Sequence, residues 1–158
     1  MSLSITPSRS IVVERILLTL WVGGMWAIGY IAAPVLFTVL DDRHMAGELA
    51  GPMFSAISVI GLACGTLLLA GMIYHEGSQC VKSWRCWVVA AMLMLIIIGQ
   101  FVLHPMMVEV KAQGLVEGTD QAKQFGRLHG ISSLLYMATS LMGLILVIFG
   151  LRRTEGTA

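Results

Sequence analysis

Four uninterrupted apolar runs, at about 16–40, 52–74, 84–103 and 131–151, constrain the fold of this chain more than any other feature. A hydrocarbon core of about 30 Å is crossed by roughly 20 residues of helix, and each run reaches that length. Barrel strands alternate in polarity and extend to only about 10 residues, so continuous apolarity selects helices. Composition agrees: of 158 residues, 57% are hydrophobic and 12% charged, and the mean hydropathy is +0.84. That leaves too little polar surface to cover a soluble globule. The links are short, so successive helices run antiparallel. The sequence predicts an all-α, up-down-up-down bundle of four transmembrane helices, forming a single membrane domain over 1–158.

Lys and Arg near the span ends set orientation. Arg9, Arg15, Lys82, Arg85, Arg152 and Arg153 fall on one side; Arg43, Lys111, Lys123 and Arg127 fall on the other. The excess predicts both termini in the cytoplasm. The first run is too long and too weakly basic at its front for a cleaved signal peptide, so it is expected to remain as an anchor. A net charge of +1 provides no basic field for nucleic acid. Cys80 and Cys86 fall in a cytoplasmic link under this topology, where thiols stay reduced, and no structural disulfide is expected.

Lipid supplies no hydrophobic drive for helix association, so small residues that allow close backbone approach are packing candidates. Gly23, Ala27, Tyr30 and Pro34 share one face of the first helix by their spacing. Pro34 also interrupts that helix and frees the Tyr30 carbonyl. Gly61 and Gly65 form a GxxxG pair in the second helix, available either inside the monomer or as a homodimer contact. In the fourth, His129, Ser133, Tyr136, Ser140 and Gly143 lie in one stripe at about 100° per residue, which predicts that the stripe faces the bundle.

Three of the four histidines cluster by topology. His44, His104 and His129 all fall at the outer ends of spans, within reach of a common axis. The stretch 41–52 reads as a short helix between Asp41 as N-cap and a break at Gly51-Pro52. His44 and Glu48 are four apart, a spacing by which one helix offers two ligands to an ion, and Gln100 and His104 repeat it. Imidazole and carboxylate suit zinc, copper or iron, and thioethers, here Met45, Met53, Met106 and Met107 near the same boundary, favour cuprous copper. Ordinary boundary hydrogen bonding by histidine and filling by methionine explain the same residues without an ion. Bis-histidine haem ranks below a metal ion, because no facing pair stands at one depth. No acidic or basic residue occupies the middle of a span, and no phosphate loop or Ser-His-Asp set occurs, so an enzyme is not expected.

"LWVGGMWAIGYIAAPVLF", "RHMAGELAGPMF", "LHPMM" and "FGRLHGISSLLYM" together resemble the transmembrane protein 205-like family, also catalogued as the domain of unknown function DUF4149. The resemblance is carried by Phe125, Arg127, His129, Gly130, Ser132 and Ser133, by Arg43, His44 and Phe54, and by Pro105. It implies a compact four-helix membrane protein, in bacteria of the inner membrane, and a loose association with tolerance to platinum-type metal compounds. His104 stands where relatives can carry an acid, and Tyr136 where an asparagine can occur.

The leading expectation is a protein that binds or helps move a soft or borderline metal ion, copper or zinc, at its outer face. His44, Glu48, His104 and His129 would be ligands, Arg127 an anchor behind them, and Ser132, Ser133, Tyr136 and Gln100 orienting groups. The rival is a non-catalytic scaffold or assembly subunit in which the same residues lock helices and meet a partner chain. A haem-carrying redox protein is the third.

Overall fold

The computed structural model describes residues 9–114 and 118–150. No strand occurs among them, and four helical spans are long and apolar enough to cross a membrane: Ser10–Val39, Arg43–Lys82, Trp84–Ala112 and Asp120–Phe149. The protein is a multi-pass, all-α membrane protein. Arg152 and Arg153, used for orientation, lie outside the described residues, as does the predicted end of the last helix at residue 151.

The first span comprises α1 (Arg9–Trp26), a π-helical segment (Ala27–Ala32) and α2 (Ala33–Val39). The second is α3 (Arg43–Glu76), followed by a 3₁₀ turn (Gly77–Lys82). The third is α4 (Trp84–Ile98), a second π-helical segment (Gly99–Leu103) and α5 (His104–Ala112), and the fourth is α6 (Asp120–Phe149). Neighbours pack α1 on α3, α3 on α4, α4 on α6 and α6 back on α1, which closes the up-down-up-down ring.

The helices are longer than their apolar runs, because capping and polar helical turns continue them past the hydrocarbon. A span of 30 residues measures about 45 Å at 1.5 Å per residue. Such helices tilt or carry their ends beyond the hydrocarbon. Asp42, not Asp41, caps α3, accepting from the N–H groups of His44 at 2.7 Å and Met45 at 3.4 Å. The expected break at Gly51-Pro52 does not occur: Pro52 sits inside α3. Its missing N–H frees the carbonyl of Glu48, which lies on an exposed turn where water can satisfy it. Thr119 caps α6 by accepting from Ala122 N–H at 3.4 Å, so this helix begins well before the apolar run.

Leu18, Trp21, Val22 and Met25 turn the inner face of α1 to the core, at the i, i+3, i+4, i+7 spacing of a buried stripe. They meet Ile57, Cys64 and Leu68 of α3, Val89, Met92 and Ile96 of α4 and Leu146 of α6. The GxxxG pair serves this core. A Cβ on Gly65 would stand 2.7 Å from Leu93 Cδ2 and 2.8 Å from the Trp21 ring, and Gly61 is pressed against the same tryptophan. Gly143 plays the matching part on α6, against Val22 and Met92. The predicted packing face of the first helix is corrected: Gly23, Ala27 and Pro34 are exposed, and nothing stands near a Cβ added at Gly23. Small size alone did not identify the buried face; the larger residues did.

Candidate functional site

Two π-helical segments shape the polar interior. In the first, Ala33 N–H reaches back to Ile28 C=O; in the second, His104 N–H reaches back to Gly99 C=O. Each precedes a proline in the first turn of the following helix, Pro34 in α2 and Pro105 in α5. Proline lacks an N–H, and a wider turn ahead of it re-spaces the carbonyls it would otherwise strand. Each also shifts the register of the side chains after it.

Around the first segment, Tyr136 of α6 donates its hydroxyl to Met25 C=O at 2.6 Å. Tyr30 and Ser140 join hydroxyl to hydroxyl at 2.6 Å, and the Trp26 indole N–H reaches Ser140 C=O at 3.5 Å. Ser140 also donates to Met137 C=O at 2.9 Å and is wholly buried. Gly29 makes room for the Tyr136 ring, and Phe54 meets that ring edge-on at 5.0 Å. Next to Phe54 in sequence, Ser55 accepts from the Gln100 amide at 2.6 Å, tying α3 to the second π-helical segment. This polar layer therefore draws on all four spans. Gln100, expected beside His104 as an orienting group, is instead half-buried and engaged with α3.

The predicted stripe on α6 divides in two. From Tyr136 through Ser140 to Gly143 it faces the bundle, as the spacing predicts. His129 and Ser133 are exposed, contrary to that prediction. They lie on the same side of the helix but nearer its start, where packing is limited to the small cluster of Leu103, Val110 and Leu128. Ser133 donates to His129 C=O at 2.9 Å, a bond within its own helix, and the His129 ring lies parallel to Phe125 with centroids 6.1 Å apart. Ser132 is half-buried and Arg127 exposed.

Of the four expected ligands, the structure brings together His44 and Glu48, with Nδ1 and Oε1 3.7 Å apart. Both side chains are more than half exposed. Lys111 Nζ stands 3.4 Å from the same Glu48 oxygen. His104 is half-buried at the start of α5, and no three of His44, Glu48, His104 and His129 bring ligand atoms within 4.8 Å of one another.

The opposite end of the bundle holds features that hydropathy did not signal. Arg85, at the start of α4, forms an ion pair with Glu14 of α1, and their side chains are only 13% and 12% exposed. Arg85 Nε is buried without a hydrogen-bond partner, as is the indole N–H of Trp21. The charge of each residue was visible, but only three-dimensional packing shows that they meet. A cleft of about 240 Å³ between α1 and α3 is lined by Glu14, Ser10, Leu17, Leu68, Met72 and His75. Cys80 of the 3₁₀ turn and Cys86 of α4 form a disulfide, with Cα atoms 5.9 Å apart. This corrects the expectation of free thiols there: a reducing compartment argues against the bond, but the turn brings the two residues to bonding distance. Cys64 remains a free, buried thiol.

No curated protein and no solved structure matches the chain. A family model does match, over residues 16–115, which covers the first span from Ile16 and all of the next two, and stops before α6. The "FGRLHGISSLLYM" stretch thus lies beyond the matched region, while the π-helical segments, both prolines that follow them, and the Cys80–Cys86 turn lie within it. The chain belongs to the family described as a domain of unknown function, DUF4149.

Proposed function

We propose that the protein is a non-catalytic membrane subunit of a bacterial inner membrane, whose interior polar residues lock its own helices while its exposed polar end meets a partner chain. One observation carries this reading: the membrane-embedded hydroxyl, indole and amide groups of Tyr136, Tyr30, Trp26 and Gln100 find their partners within the chain. Groups spent on one another in this way position helices. Each interhelical hydrogen bond contributes about 0.6 kcal/mol in a membrane. Arg43, His44, Arg127 and His129 are exposed at the opposite end from the disulfide, and there they present charge and imidazole to a partner.

The second reading, a soft or borderline metal ion at this face, is favoured by the His44 and Glu48 pair. Two ligands on one helical turn need further donors, and Lys111 competes for the carboxylate. Photo-crosslinking from position 127 in the native membrane separates the two readings. The subunit reading expects a discrete crosslinked partner that disappears in His129→Ala, with the stability of the chain unchanged. A near-stoichiometric transition metal in chelator-free protein, lost in a His44→Ala, His129→Ala double variant, would replace it with the metal reading. A Soret band would replace both with haem.

A further inference from the structure

We propose that Cys80, Cys86 and Glu76 form a redox-gated site for a borderline divalent cation of the zinc class, at the end of the bundle away from the histidines. The two sulfurs and a Glu76 carboxylate oxygen all lie within 4.8 Å of one another. Cys80 and Cys86 are 4% and 6% exposed, and Glu76 is half-buried at their rim. Two thiolates and a carboxylate make an S₂O donor set, which suits zinc and not calcium or magnesium. Water completes the tetrahedron.

The turn that presents these groups does not depend on the disulfide. Gly77, at a φ of 53° that side chains rarely adopt, ends α3 and sends the chain into the 3₁₀ turn. Ser83 N–H then donates to Cys80 C=O at 3.0 Å, and the Trp87 indole donates to Val81 C=O at 2.8 Å. These bonds hold the backbone of the turn, so that on reduction the two sulfurs need only move apart to share an ion. Only six positions separate the two cysteines, so as a staple the disulfide contributes less than one closing a longer loop would. Beside two thiols the Glu76 carboxylate supplies the third ligand.

Opening requires two electrons and two protons, supplied by a dithiol of the cytosolic pool. The donor dithiol becomes a disulfide, the protein S–S bond breaks, and Cys80 and Cys86 become thiols. Binding of M²⁺ then releases both thiol protons to water as the two S–M bonds form. Both termini in the cytoplasm, as the Lys and Arg distribution predicts, place the site where that reductant is present. In reverse, a disulfide of the same pool takes two electrons from the thiolate pair and two protons from water to become a dithiol, the protein S–S bond re-forms, and M²⁺ leaves.

The test uses the full chain in detergent, reduced with a phosphine and titrated with Co²⁺ as a spectroscopic probe. One Co²⁺ per chain with thiolate-to-cobalt charge-transfer absorption is expected, absent from the oxidised protein. The band should vanish in Cys80→Ser and Cys86→Ser, and in reduced wild type whose thiols have been alkylated, which covers the case of a variant that does not fold. Glu76→Gln should keep the band and weaken binding about tenfold or more. The His44→Ala, His129→Ala variant should bind as wild type, which separates this site from an ion at the opposite face. No charge-transfer band in reduced wild type, or a band that survives loss of both cysteines, overturns the site; unchanged affinity in Glu76→Gln overturns the carboxylate's part in it.

Discussion

The two halves of α6 pose the same polar chemistry in two settings. Its first half carries Arg127, His129 and Ser133, all exposed; its second carries Tyr136 and Ser140, joined to α1 and the π-helical segment after it. Spacing placed all of these but Arg127 on one stripe, yet only the part with three other spans around it is buried. Position along the bundle axis, which periodicity does not report, decides whether a polar residue locks helices or faces outward. The two ends of the molecule repeat the lesson. The end rich in histidine holds an exposed, shared carboxylate, whereas the end with few motifs holds a buried ion pair and a closed thiol pair.

The sharpest way to break this contrast is at the buried pair. Glu14→Gln leaves Arg85 charged, nearly enclosed and already short of one partner. A loss of about 3–5 kcal/mol is expected, read as a large fall in the unfolding midpoint in detergent. Glu48→Gln, at the exposed pair, should change stability by no more than about 0.5 kcal/mol. Equal effects would dissolve the distinction between the ends.

Next in size is the contrast between glycines. Gly65→Leu drives a side chain into Trp21 and Leu93, and overpacking of this kind costs about 1–3 kcal/mol. Gly23→Leu points into open space and should stay within about 0.5 kcal/mol of wild type. A Gly23 variant as damaging as the Gly65 variant would mean that α1 buries a face against another chain.

Much of the fold was legible because hydropathy registers the bilayer directly: four spans, their antiparallel order and the inward part of α6 all follow from it. Helix ends were not, since Asp42 and Thr119 start helices in polar sequence that hydropathy passes over. Pro52 was misread because a missing N–H is tolerable where the freed carbonyl reaches water. Gln100 was misplaced because 3.6-residue periodicity fails across the wider turn at Gly99–Leu103. The Glu14–Arg85 pair depends on how α1 and α4 meet, which no local pattern encodes.

The central claim is that the interior polar layer, and not the histidine end, holds the bundle together. Thermal unfolding of Tyr136→Phe and His129→Ala, side by side in the same detergent, tests it most directly. Tyr136→Phe keeps the ring against Phe54 and removes only the hydroxyl donated to Met25, so a loss of about 0.6–1.7 kcal/mol is expected. His129→Ala should fall within about 0.5 kcal/mol of wild type. A Tyr136→Phe protein as stable as wild type, beside a destabilised His129→Ala protein, would contradict the account.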